Sequence, residues 1–399
     1  MSLPSRFSDV DYLLDGFERV ESVAEFHARI ATGKPLNIKL GIDPTSPDLH
    51  LGFMVVLHHL QKFSESGHNV TLIIGDFTAR IGDPSGKNVT RPTLSSEEID
   101  ANMQTYREQA GKVLDLERVS IRYNSEWLDK LGLTDLIRLL SHTTVAQMLE
   151  RNDFHNRYGS GTPISLHEFL YPVAQAYDSV AIKADVELGG SDQLFNLLLG
   201  RHYQERLGQR PQICATVPLL VGLDGEKKMS KSLGNYVGIA ESAQAQFGKL
   251  MSIPDGLLPT YLRYAAFASQ TETDALATRL ASDICKPMDE KKNLAERIVA
   301  RYHPQADAAS AREYFERTVQ RKEIPTDAIP ELQRDGRDRI TELLVVAGFA
   351  TSKREAERLI SGGGVKVDGI VINDPRALLG ASDHAILSVG SRKFVRILS

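Results

Sequence analysis

Three groups of residues in this 399-residue chain have types and spacings suited to chemistry. The first is His50-Leu-Gly52, placed where a strand-like stretch gives way to a helix-like one. Free backbone N–H groups and the helix dipole at such a point attract anions. A histidine there can hydrogen-bond a phosphoryl oxygen, and Gly52 leaves room for a ligand to lie against the backbone. The second group is KKMSKSLGN at 227–235, in which Lys228 and Lys231 flank Met229-Ser230. Two ammonium groups on a mobile loop can meet negative charge that builds on a phosphate leaving group. A loop that closes only around a transition state raises the rate rather than the affinity alone. The third is Tyr171, Gln175 and Asp178, which recur at i, i+4 and i+7 and so share one face of a helix.

The first two hundred residues alternate the elements that would position these groups. Residues 37–43 read as a strand with Ile38, Leu40 and Ile42 on one face and Lys39, Gly41 and Asp43 on the other. A helix is expected over 50–66, then a short β-branched strand at 70–74 (VTLII) of the kind buried in parallel sheets. Strand, helix, strand with short connections is a right-handed βαβ unit. The implied architecture is a doubly wound α/β domain whose site lies at the carboxyl ends of its strands. A long loop over 75–93, dense in Gly, Pro, Asp and Thr, is of the length usually kept for function. A capping box at 95–98 should start the next helix, and residues 178–192 carry a further strand-to-helix transition.

Beyond 240 the pattern is helical to about 320. The stretch 321–337 has two prolines, many charges and no periodicity, and reads as a linker. The last sixty residues form a small unit: helices at 340–346 and 352–360, a Gly362-Gly-Gly364 turn, and strands at 365–367 and 370–372. The expected domains are 1–236 (α/β catalytic), 237–322 (helical), 323–336 (linker) and 337–399 (small α+β). No apolar run is long enough for a membrane span and no signal pattern opens the chain. Two cysteines, Cys214 and Cys285, lack metal-ligand spacing, which fits a reducing cytoplasm without disulfides and two inert core thiols. Net charge is −5, yet residues 337–399 hold ten Lys/Arg against seven Asp/Glu, leaving that unit +3 and the rest −8. A basic module on an acidic body suits a local RNA contact.

Together the first two motifs resemble the paired signature of class I aminoacyl-tRNA synthetases, H-x-G-H followed by K-M-S-K-S. YPVAQAYD at 171–178, GGSDQ at 189–193 and IGDPSGK at 81–87 narrow the resemblance to the tyrosyl-tRNA synthetase family. The terminal unit, with SKREAER at 352–358 and GGVKV at 363–367, is similar to the S-four type of RNA-binding module. The resemblance covers almost the whole chain. It implies ATP and L-tyrosine as substrates, tRNA(Tyr) as acceptor, magnesium accompanying ATP without a dedicated carboxylate cage, and a homodimer. It implies that Tyr171, Gln175 and Asp83 hold the α-ammonium group, that Asp178 accepts from the phenol, and that Lys39 lies near it. Gly190, Asp192 and Gln193 would contact the ribose and the reacting carboxylate, with Gly41, Asp43 and Gly52 beside the nucleotide. Thr45 and His50 would face the terminal phosphates, and Lys87, Arg91, Lys228 and Lys231 the pyrophosphate.

Three positions depart from the family pattern. Phe53 stands where the second signature histidine belongs, and a phenyl ring cannot donate the hydrogen bond, worth about 1–3 kcal/mol. Lys39 replaces a frequent tyrosine and either looks into the site or pairs with an acid. Leu194 stands where an aromatic residue is common. For RNA, Lys353, Arg354, Arg358 and Lys366 are the strongest candidates, with Arg392 and Lys393 behind them; such spacing tracks a phosphate backbone. The same residues also fit two other readings: a related adenylate-forming enzyme, such as a tryptophan-specific ligase or a nucleotidyltransferase, and a non-catalytic RNA-binding paralogue.

Overall fold

The computed structural model describes residues 7–44, 48–84, 96–282, 285–321, 329–380, 384–390 and 393–398, the side chains of 96, 97, 99, 100, 103 and 104 apart. A six-stranded sheet forms from β1 (Arg19–Val20), β2 (Asn37–Ile42), β3 (Asn69–Ile74), β4 (Val119–Tyr123), β5 (Val186–Gly190) and β6 (Ile213–Val217). The spatial order is β1-β6-β5-β2-β3-β4, with β1 antiparallel to β6 and all other neighbours parallel. Chain order therefore reverses between β2 and β5, and the crevice beyond their carboxyl ends is where an open α/β sheet takes its ligand. The helix Leu51–Glu65 carries the chain from β2 to β3 and buries Leu51, Met54, Val55, Leu57 and Leu60. Both faces of the central strands are covered: Ile38, Leu40, Val70, Leu72, Val186 and Leu188 are buried on one face, and Lys39, Ile73 and Glu187 on the other. Against that apolar background Lys39 and Glu187 stand opposite each other in register on β2 and β5.

Several boundaries differ from those read in the sequence. The loop expected over 75–93 contains a helical turn, Thr78–Ile81, which ends where Gly82 adopts φ +83°. Asp178 lies inside the helix Leu170–Ala181, and the transition into the next helix is made later, by β5, a 3₁₀ turn at Ser191–Gln193 and the helix Leu194–Arg206. The helix Ser96–Ala110 is present, while the capping side chains expected at 95–98 fall mostly outside the described residues.

The chain divides into two compact units, one of residues up to 242 together with 249–302, the other of 243–248 and 303 onward. The helices expected to form a domain of their own over 237–322 are thus shared between the units. In the first, the Tyr261 hydroxyl donates to the Val221 carbonyl (2.7 Å) and Arg263 pairs with Asp15, contacts no helical periodicity reveals. In the second, a five-stranded sheet orders as β7-β11-β10-β8-β9, from β7 (Glu331–Gln333), β8 (Val365–Val367), β9 (Ile370–Ile372), β10 (Ala385–Val389) and β11 (Lys393–Leu398). β7 lies inside the expected linker; it runs parallel to β11, whose pairing replaces the periodicity that three residues are too few to show. The helices Ile340–Val346 and Lys353–Ser361 bury Leu343, Leu344, Ala356 and Ile360 against Val365, Leu387 and Val395 of this sheet.

Candidate active site

A cavity of about 610 Å³ opens at the carboxyl ends of β2 and β5. Of the residues singled out in the sequence, Gly41, Asp43, His50, Gly52, Asp83, Tyr171, Gln175, Asp178, Gly190, Asp192, Gln193, Lys228 and Lys231 all line it. Thr45, Lys87 and Arg91 lie outside the described residues. Lys39 is fully buried and does not line the cavity: its ammonium group is 2.9 Å from Glu187 Oε1 and donates to Ser179 Oγ (2.8 Å) and the Gln175 carbonyl (3.0 Å). Of the two fates open to it, it takes the ion pair, because an ammonium inside a two-faced sheet must be neutralised there.

The deep end is built around Asp178. Its carboxylate accepts from the indole Nε1–H of Trp127 (2.8 Å) and from Asn124 Nδ2 (3.4 Å). Burial pushes its pKa up to about 7, against the opposing pull of Lys39 and of these two donors. A buried acid poised near neutrality with a face on the cavity is suited to receive a hydroxyl donor. The helix Leu170–Ala181 also presents Tyr171, whose hydroxyl donates to Asp43 Oδ2 at 2.8 Å. Burial raises that phenol well above its ordinary range, so it stays protonated and donates. Gly75 is required here, since a Cβ would come within 2.0 Å of Asp43 Oδ1.

Beside these groups a polar ring closes the wall. Asp83 accepts from Arg151 Nη2 (2.9 Å) and Gln193 Nε2 (3.0 Å), and Asn196 Nδ2 donates to both Gln175 Oε1 and Gln193 Oε1 (2.8 Å each). Trp127, Asn124, Arg151 and Asn196 were not singled out in the sequence. They come from helices and loops with no motif spacing to one another, and only their convergence marks them. Trp127 alone carried a signal, as the single tryptophan of the chain.

The shallow end takes the two basic motifs. His50 caps the helix Leu51–Glu65, its Nδ1 accepting from the Gly52 N–H at 3.2 Å. Burial, reinforced by Lys231 and Lys228, lowers its pKa to about 3, so the ring is neutral. With Nδ1 an acceptor, the proton sits on Nε2, which becomes a donor. Phe53 packs 4.8 Å from the His50 ring, centroid to centroid. A β-bridge between His50 and Gly238 stitches this helix start to the chain leaving the lysine loop. Inside that loop the buried Asn235 holds the Ser230 N–H (2.8 Å) with its carbonyl and donates to Asp224 Oδ2 (2.8 Å) and the Lys228 carbonyl (3.2 Å). Lys228 reaches across to Asp192 Oδ2 at 2.6 Å, joining the lysine loop to the GGSDQ segment. Burial lowers the Lys231 pKa to about 8. Gly190 has no room for a side chain: a Cβ would lie 2.8 Å from Asp192 Oδ1.

In the second unit Lys353, Arg354, Arg358 and Lys366 are exposed. Lys353 lies 3.3 Å from Glu342, and Lys393 sits over the Phe349 ring at 5.8 Å; Arg392 falls outside the described residues.

Comparison with known proteins bears on the whole chain. Residues 31–320 match the family model described as tRNA synthetases class I (W and Y), and residues 338–384 match the S4 domain. A tyrosine–tRNA ligase of Moorella thermoacetica is 50% identical over 375 residues, spanning 94% of this chain and 91% of its own length. One from Thermotoga maritima is 49% identical over 376 residues, spanning 94% of each. Among solved structures, tyrosyl-tRNA synthetase from Archaeoglobus fulgidus, complexed with L-tyrosine, superposes with a TM-score of 0.64 at 22% identity, covering 77% of this chain and 99% of that one. The enzyme from Aeropyrum pernix gives 0.63 at 19% identity over 78% and 99%. At such identities these two likenesses speak for the fold.

Proposed function

The chain belongs to the class I tRNA synthetases of the tryptophan and tyrosine group, and from that premise we propose how its cavity makes tyrosyl-tRNA. The reaction is ATP-dependent ligation of tyrosine to tRNA, the activity of its close relatives. The observation that carries the tyrosine reading is Asp178: a carboxylate buried at the deep end of the cavity, fixed by Trp127 and Asn124, accepts the phenolic hydrogen. Phenylalanine would leave the cavity-facing lone pair of that buried carboxylate without a donor. Tyr171, Gln175 and Asp83 then surround the α-ammonium group. Gln193 and Asp192 turn toward the reacting carboxylate and the ribose, and Gly41, Asp43, Gly52 and Gly190 leave the nucleotide close to backbone.

In the first step a tyrosine carboxylate oxygen bonds to the α-phosphorus in line as the bond to the bridging oxygen breaks, and pyrophosphate departs. No covalent enzyme intermediate is needed; the protein supplies position and charge. The His50 Nε2–H donates to a phosphoryl oxygen, and Thr45, Lys87 and Arg91 belong to the same end. Lys228 and Lys231 meet the charge on the leaving pyrophosphate, for which Lys228 exchanges its contact with Asp192 for the nucleotide. Magnesium would arrive with ATP and help to offset the charge of its phosphates. In the second step a hydroxyl of the terminal ribose of tRNA(Tyr) attacks the tyrosyl carbonyl, the carbonyl–phosphate bond breaks and AMP leaves with loss of the hydroxyl proton, while Lys353, Arg354, Arg358 and Lys366 grip tRNA phosphates.

A homodimer and a cytoplasmic setting complete the proposal. No described helix is long and apolar enough to cross a membrane. Leu133 (75% exposed), Ile137 and Leu140 line one helix, with Val145, Tyr158 and Leu166 nearby in sequence and also exposed. Apolar exposure on this scale suits burial against a second copy. The test of the ligase reading is pyrophosphate exchange into ATP with each amino acid in turn. Exchange with tyrosine supports it, exchange with a different amino acid alone favours a related adenylate former, and silence with all refutes catalysis.

A further inference from the structure

We propose that Lys39 is a positioning residue for tyrosine selection, acting through Glu187 and the helix Leu170–Ala181 without touching substrate. The inference rests on the tyrosine reading above. Its starting point is geometric. The Lys39 ammonium donates at once to the Gln175 carbonyl and the Ser179 hydroxyl, which bracket Asp178 on one turn of helix, while its charge faces Glu187 at 2.9 Å. Glu187 in turn accepts from Ser179 (3.0 Å), from Gln212 Nε2 and, at 3.4 Å, from the Gln175 amide. One ion pair between register partners of β2 and β5 therefore holds both ends of the amino-acid pocket, Gln175 toward the ammonium and Asp178 toward the phenol. The network is tightly drawn: a Cβ on Gly200 would lie 2.7 Å from Gln212 Nε2 and 2.9 Å from Ser179 Oγ.

The second part of the role is electrostatic. Asp178 is faced by Lys39 from β2, by Glu187 from β5, and by Asn124 and Trp127 from the chain following β4. Cys214 of β6, the register partner of Glu187, is held protonated by burial. Lys39 favours the ionised form of Asp178, and Glu187 disfavours it. The phenol needs the ionised acceptor, so the balance of this pair sets the pH below which tyrosine is lost. Neither charge touches the ligand, which is why the effect must appear as a shifted pH profile.

Trp127 supplies the readout, being the only tryptophan and bonded to Asp178. Its fluorescence, excited beyond the tyrosine band, is followed against pH and against added L-tyrosine, alongside kcat and KM for exchange. In Lys39→Met the midpoint should move alkaline by about one unit and KM for tyrosine at neutral pH should rise about fivefold, with kcat changed much less. Glu187→Gln should move the midpoint the opposite way, and the double variant should return near wild type. Lys39→Arg should keep the wild-type midpoint. Unmoved midpoints in both single variants, or shifts of the same sign in both, would overturn the inference, as would equal losses in kcat and KM at a fixed midpoint. Wild-type protein showing neither tyrosine-dependent fluorescence nor exchange would instead overturn the tyrosine reading, and this role with it. If Lys39→Met does not fold, the acid-ward shift of Glu187→Gln decides alone.

Discussion

Replacing Trp127 by phenylalanine removes one hydrogen bond from Asp178 and keeps most of the aromatic packing, including a ring for the Arg122 guanidinium now 5.5 Å away. The lost bond is charge-assisted and short, 2.8 Å, and such bonds contribute about 1.5–3 kcal/mol. Because it favours only the ionised carboxylate, its loss appears as a pKa change of about one to two units. The sign follows from the starting point: burial has already raised Asp178 to about 7, and removing a donor raises it further. At neutral pH the ionised fraction drops from about half to between a tenth and a hundredth, so kcat/KM for tyrosine should fall about five- to fiftyfold. Raising the pH should restore it. The assay is tyrosine-dependent pyrophosphate exchange across the acid limb, with wild type and variant in parallel. A loss of activity with no alkaline shift of that limb would refute the reasoning, because it would make Trp127 a packing residue only.

Three further expectations follow from the same site. Lys231 loses its proton near pH 8, so kcat/KM for ATP should decline on the alkaline side with a midpoint close to that value, while kcat, measured with phosphates bound, should hold to higher pH; a coincident decline of both would contradict it. Phe53→His should raise tyrosyl-adenylate formation by about tenfold in a single-turnover assay by restoring a donor beside His50. No change would mean that Phe53 serves packing alone. Ending the chain before residue 337 removes the helices and β8–β11 of the small sheet, and should abolish transfer to tRNA while sparing pyrophosphate exchange; parallel loss of both would sink that division of labour.

Local chemistry made a good part of this molecule readable in advance. The alternation of 37–43 became β2, and the apolar periodicity after His50 became a helix capped by that histidine. The i, i+4, i+7 spacing did put Tyr171, Gln175 and Asp178 on the cavity side of one helix. What escaped depends on contacts between distant segments. Trp127 and Asn124 meet Asp178 across about fifty residues of chain, and Arg151 meets Asp83 across nearly seventy. No local pattern encodes such convergence. Lys39 and Glu187 sit in the same category: each is one charge in an apolar strand, and only the parallel register of β2 and β5 reveals them as partners. β7 leaves no mark in the sequence because three residues show no period, and its pairing partner lies some sixty residues on.

The central claim is that Asp178 selects tyrosine by its phenol. Pyrophosphate exchange measured with tyrosine and with phenylalanine, in wild type and in Asp178→Asn, tests it directly. The account predicts a large preference in wild type, because a site built to bond a hydroxyl rejects the analogue lacking it by about 10⁴–10⁵. It predicts that the variant loses most of that preference through tyrosine, with phenylalanine little changed. A variant that kept the wild-type ratio would contradict the account.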